Sequence, residues 1–122
     1  MKKLFFLSFL ILSSCSNNSD FKLSASSDIS DGEMVYLVQY KENIPVLKDS
    51  ASVVKGNFTF SDSILVPEMH YIFFKNIKGN IPVILEPGNI NITVYKDSLR
   101  RTKINGTKSN DDFKTYVDES SS

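Results

Sequence analysis

The stretch from Asp49 to Ser61, D-S-A-S-V-V-K-G-N-F-T-F-S, limits most sharply what this chain can fold into. It predicts two short strands closed by a Lys55-Gly56-Asn57 turn. β-branched Val53 and Val54 precede the turn, and Phe58 and Phe60 follow it at two-residue spacing. Strand alternation puts both phenylalanines on one face of a sheet, so the hairpin demands an apolar layer opposite it. The expectation is an all-β domain with this hairpin in its core.

The flanking segments extend the same pattern. Phe21, Leu23 and Ala25 alternate with Lys22, Ser24 and Ser26, a half-buried strand ended by the turn residues Ser27 to Gly32, with Asp31-Gly32 as a hairpin-type pair. Met34, Tyr36, Val38 and Tyr40 fall on one face of the next strand and Val35 and Leu37 on the other, which marks a central strand. Pro45 within Ile44-Pro45-Val46-Leu47 marks an edge or a strand start.

Asp62-Ser63 and Pro67 then break the pattern. His70 to Phe74 and Ile81 to Glu86 read as strands joined by a Lys78-Gly79-Asn80 turn, and Pro87-Gly88 fits the centre of a type II turn. Ile90, Ile92 and Val94 alternate with Asn91, Thr93 and Tyr95, and a short strand around Ile104 closes at Gly106. Ser109 to Asp112 has the form of a capping box, followed by a helical stripe of Phe113, Tyr116 and Val117. Together these segments predict an antiparallel β-sandwich of about eight short strands with a short C-terminal helix, spanning 21–119 ahead of a tail at 120–122.

The N-terminus is of a different kind. Lys2 and Lys3 precede an apolar run from Leu4 to Leu12, too short for the ~20 residues of a spanning helix but suited to the apolar part of an export signal. Leu12-Ser13-Ser14-Cys15 resembles the bacterial lipobox, in which cleavage occurs before a cysteine carrying diacylglycerol. The resemblance implies a signal peptide at 1–14 and a lipidated tether at 15–20, with Cys15 holding fatty acyl chains such as palmitate. Two or more chains anchor a domain stably without spanning the bilayer. Ser16, where an aspartate would favour the inner membrane, points by the same resemblance to the outer membrane of a cell envelope.

Charge and cysteine content exclude several functions. The chain has 14 basic and 14 acidic residues; without Lys2 and Lys3 the balance is 12 to 14, a formal −2. No basic stripe suits nucleic acid. A single cysteine allows no internal disulfide, no thiol pair and no cysteine-based zinc site.

The order of these features resembles a family. Asp49-Ser50 before the Val53, Gly56, Phe58, Phe60 hairpin, then Glu86-Pro87-Gly88, then Asn105-Gly106-Thr107 with Ser109-Asn110 opening a helix, is similar to a domain of unknown function. That domain lies at the N-terminus of thioredoxin-like and peroxiredoxin-like lipoproteins of Gram-negative envelopes. The resemblance implies that the closing helix leads into a thioredoxin fold with a C-x-x-C pair. This sequence stops within or just after that helix and has no second cysteine, so disulfide exchange transfers to none of its residues.

Catalytic constellations are hard to assemble. His70 is the only histidine, and no nucleophile elbow accompanies it. Glu68 and His70 share a strand face but make only two metal ligands of the three or four required. Asp28, Asp31, Asp62 and Asp97 read as turn formers rather than glycosidase carboxylates. Tyr36, Tyr40, Tyr71 and Tyr95 suit cross-strand packing or, alternatively, a ligand-binding face. Asp49-Ser50, Asp62-Ser63 and Asp97-Ser98 each resemble an O-glycosylation acceptor, which makes Ser50, Ser63 and Ser98 candidate modification sites.

The sequence therefore predicts no enzyme, with no catalytic, cofactor-binding or metal residues. It predicts a lipid-anchored envelope binding or accessory domain, with the membrane and a thioredoxin-like or other envelope protein as partners. The alternative is the N-terminal domain of a thiol-disulfide oxidoreductase whose thioredoxin-like catalytic domain is missing from this chain.

Overall fold

The computed structural model describes residues 20–111. The expected signal peptide, Cys15 and the stripe of Phe113, Tyr116 and Val117 lie outside these residues. Eight strands follow in order: β1 (Asp20–Ser27), β2 (Met34–Lys41), β3 (Ile44–Ser52), β4 (Asn57–Ser63), β5 (Glu68–Phe74), β6 (Asn80–Leu85), β7 (Gly88–Val94) and β8 (Lys103–Asn105). A 3-10 turn at Leu99–Arg101 precedes β8, and the chain turns helical at 108–111.

The strands form two four-stranded sheets, ordered β4-β1-β7-β8 and β3-β2-β5-β6. β2 is central, as its two apolar faces require, and Pro45 sits near the start of the edge strand β3. The expected antiparallel pairing holds except between β1 and β7, which run parallel. Parallel neighbours need a crossover, and here the whole second sheet serves as that crossover.

The interior is the product of period-two alternation. Phe21, Leu23 and Ala25 of β1, Phe58 and Phe60 of β4, and Ile90, Ile92 and Val94 of β7 face Val35 and Leu37 of β2, Ile72 and Phe74 of β5, and Ile81, Val83 and Leu85 of β6. The phenylalanines bridge the layers, because Phe58 meets Phe60 and Phe74 edge-on with centroids 6.1 and 5.9 Å apart.

Two expected hairpins, at 49–61 and at Asp31-Gly32, turn out to be passages between sheets. Val54 and Asn57 do exchange backbone hydrogen bonds of 3.0 and 2.9 Å, around Lys55 and Gly56 at positive φ of 53° and 81°. Those values are the signature of a tight primed turn. Pairing stops at that single bridge, however, because β3 continues along β2 and β4 along β1. The 49–61 segment is thus an arch between the layers and not a flat hairpin. The turn is also wedged against β1, since a Cβ on Gly56 would lie 2.6 Å from the Ser27 carbonyl oxygen. Asp31-Gly32 and Pro87-Gly88 likewise lead from one sheet to the other.

A genuine two-residue hairpin joins β2 to β3 through Glu42 and Asn43, with φ of 53° and 68°. Lacking glycine, it carries no strong turn signal in the sequence. Asp62 belongs to strand β4 rather than to a turn.

The two ends of the sandwich differ. At the far end, where β1 finishes, loops are tied by carboxylates accepting backbone N–H bonds. Asp28 accepts from Lys96 (2.8 Å), Asp31 from Lys55 (2.6 Å) and Glu33 from Asn76 (2.6 Å). The near end holds the start of β1, the 64–67 loop, the β6–β7 passage and the β2–β3 hairpin tip.

Candidate interaction surface

The outer faces of the two sheets have opposite chemistry. On the β1 sheet, register aligns Thr59, Ser24, Asn91 and Asn105 across all four strands, with Ser61, Lys22 and Asn89 on one side and Asn57, Ser26, Thr93 and Lys103 on the other. That face is polar throughout. On the β2 sheet, register aligns Leu47, Val38, Tyr71 and Pro82 across all four strands, each of them apolar or aromatic. Tyr36 pairs with Phe73 beside this row, and Met69 pairs with Ile84 on its other side. Tyr40 meets the Tyr71 ring edge-on at 5.3 Å. Most of these side chains are half-buried by their neighbours, while Leu47 and Tyr40 are exposed.

A β-bulge shapes one border of the face. The pairing shifts between Leu37 and Val38, leaving Lys48 as an extra residue on β3. The opposite border is sealed by a side chain. Asn110, 1% exposed, accepts from the Ile84 N–H at 2.9 Å and donates to the Ile84 carbonyl at 2.7 Å. Its amide thereby pairs with the free edge of β6 as a further strand residue would. It also donates to Thr107 Oγ1 at 2.8 Å.

Ser109 is not where the helix opens, and its expected capping partner Asp112 lies outside the described residues. Helical structure already begins at residue 108, and Ser109 gives both its N–H and its hydroxyl to the Glu86 carboxylate, each at 2.8 Å. A remote acid thus takes the role the sequence pattern assigned to a local cap. The beginning of the helix is fixed beside the apolar face.

Of the four tyrosines singled out above, Tyr36, Tyr40 and Tyr71 come together on this face. Tyr95 does not: its ring lies under the Arg101 guanidinium, 5.3 Å from the centroid, beyond the end of β7. The residues that complete the face, Leu47, Phe73, Pro82, Met69 and Ile84, were not separable from core residues by periodicity. Their strands are apolar on both sides, and only register assigns the row.

A cleft of about 550 Å³ opens at the near end between the layers, lined by Phe21, Leu37, Ile64 and Leu85 with Lys48, Asp49, Asp62 and Glu68 at its mouth. His70 also lines it, 3% exposed, with Nδ1 3.2 Å from the Glu68 carbonyl oxygen, to which an Nδ1–H donates. Glu68 itself accepts from the Gln39 amide at 3.0 Å. Among the described residues no group of three or more His, Cys, Asp or Glu side chains could hold a metal ion. Asp49 and Asp62 each accept the N–H of the following serine, at 2.8 and 2.7 Å. Ser50 and Ser63 are exposed, while Ser98 is half-buried ahead of the 3-10 turn.

Burial, chiefly, pushes the His70 imidazole below its ordinary value of 6.5, and Lys48 adds to this; the Glu68 carbonyl and carboxylate oppose it. With the folded value depressed, the unfolded chain holds more protons between the two values. Stability is therefore expected to fall as pH drops below 6.5 and, for this group, to stay level above it. Urea midpoints measured from about pH 7.5 to about pH 5 should fall further for wild type than for His70→Asn, which keeps a donor but cannot titrate in that range. Equal slopes would show that His70 ionises freely in the fold.

The geometry defines a class before it defines a family: a small two-layer sandwich with one polar and one apolar outer face, its last helix started against the border of the apolar one. Residues 21–113 match the model of a family described as a domain of unknown function (DUF4369), and the chain belongs to that family. It matches no curated protein and no solved structure. No helix among the described residues is long and apolar enough to cross a membrane.

Proposed function

We propose that this protein is a binding or accessory module of the cell envelope without catalysis of its own, held to a membrane, the outer one, through lipid on Cys15. The row Leu47, Val38, Tyr71 and Pro82 carries this reading. A solvated sheet face ordinarily alternates to polar residues, as the other sheet does, and an aromatic row flanked by more apolar side chains suits a protein partner.

A photo-crosslinker placed at Tyr71 in the envelope of the native host is expected to give a discrete protein adduct, and one at Asn91 on the polar face none. Absence of an adduct at Tyr71, or equal labelling at both positions, would remove the binding face. Cys15→Ser should release the protein from the membrane fraction; retention there would remove the anchor.

A second reading makes the partner a thioredoxin-like domain, with this chain as the N-terminal part of a thiol-disulfide oxidoreductase. Asn110 and Glu86 favour it, because they fix the start of the helix at the border of the apolar face, where a following or associated domain would rest. A C-x-x-C protein as the crosslinked species selects this reading, and any other envelope protein selects the first.

A further inference from the structure

Large apolar side chains that stay exposed are concentrated at one end of the sandwich. Leu65 and Val66, 84% and 56% exposed, sit in the loop between β4 and β5, and Ile44, 62% exposed, sits at the tip of the β2–β3 hairpin. Strand directions place the two at the same end. β4 ends at Ser63 opposite Asp20, β5 begins at Glu68, and β2 runs antiparallel to β5, so its hairpin tip lies level with the start of β5. Leu65, Val66 and Phe21 also border the same cleft. Of the other exposed large apolar residues among those described, Tyr40 and Leu47 lie on the β2–β3 hairpin towards this end, and only Val54 lies at the far one.

The chain enters the sandwich at that same end. β1 starts at Asp20, five peptide units after Cys15, which reach no more than about 17 Å when fully extended. A body held by so short a leash meets the bilayer with its entry end. Isolated exposed aliphatic residues are unremarkable on a soluble surface, but two in succession on a loop tip with a third at the same end are suited to an interfacial lipid layer.

Charges around the end are mixed, with Lys22, Lys41 and Lys48 among Asp20, Glu42, Asp62 and Glu68. This composition suits an apolar contact with a neutral bilayer rather than adsorption to anionic lipid.

We propose that Leu65, Val66 and Ile44 form a membrane-contact rim that seats the domain on the lipid surface to which Cys15 ties it. This inference rests on the anchor reading. Contact at this end leaves the apolar face of the β2 sheet standing beside the bilayer, open to a partner in the same membrane.

The chain contains no tryptophan, so Leu65→Trp provides a single reporter, and at a position this exposed it leaves the core untouched. The full lipidated protein would be reconstituted into phosphatidylcholine vesicles carrying bromine in their acyl chains, with Val54→Trp as the far-end control. The expected result is a blue-shifted, strongly quenched emission from Leu65→Trp and an unquenched emission from Val54→Trp. Adding anionic lipid should leave this difference unchanged. Protein that floats with the vesicles while both reporters stay unquenched overturns the rim and leaves the anchor standing. Protein that does not float overturns both.

Discussion

Replacing Phe58 with alanine is expected to cost about 4 kcal/mol of stability, within the range for truncating a buried phenylalanine. Its ring is buried between the layers and meets one aromatic neighbour in its own sheet, Phe60, and one from the facing sheet, Phe74. Both edge-on contacts vanish with the ring, and the cavity opens in a closed interior among β-strands that cannot collapse into it. Domains of this size have roughly 5–15 kcal/mol in hand, so one truncation removes a large share. The thermal midpoint should drop by roughly 20 °C, with Phe58→Leu losing far less. A Phe58→Ala protein melting within about 5 °C of wild type would mean that the two sheets do not meet through this ring.

Asn110→Ala should be nearly as damaging, at about 3 kcal/mol, although it removes no apolar packing. The side chain has three partners, the Ile84 N–H, the Ile84 carbonyl and Thr107 Oγ1, and truncation strands the two backbone groups at a buried border. The deficit has an address, which separates it from a general loss of stability. The Ile84 amide should exchange with solvent much faster in Asn110→Ala, ahead of the amides of β1 and β7, whose ladders the substitution does not touch. Asn110→Asp keeps an acceptor for the Ile84 N–H but loses both donated bonds and buries a charge, so it should not rescue. Uniform acceleration across both sheets would show that Asn110 contributes only through global stability.

What the sequence made legible follows from the range of the forces involved. Alternation in Phe21, Leu23 and Ala25, and again in Ile90, Ile92 and Val94, identifies strands and their buried sides because a side chain's face depends only on its own strand. Which strands become neighbours depends on distant partners. The arch at Val54 to Asn57 therefore read as a hairpin, and the parallel match of β1 with β7 was invisible.

The same limit separates the parts of the candidate surface. Tyr36, Tyr40 and Tyr71 were recognisable as a possible face, but Tyr95 could be excluded only once Arg101 was seen over its ring. The S-x-x-D pattern at Ser109 suggested a local cap because its actual partner, Glu86, is 23 residues away. His70, which the sequence leaves without a nucleophile elbow or a full set of metal ligands, is found buried against its own strand's backbone.

The parallel union of the first and seventh strands also governs the order in which the emerging chain can mature. Emerging N-terminus first, β1 must wait for β4 and then for β7 before its sheet can close, whereas β2, β3, β5 and β6 can assemble from near neighbours. During that interval Phe21, Leu23 and Ala25 lack the flanking strand β7, which completes their own layer only once residues up to 94 have been made.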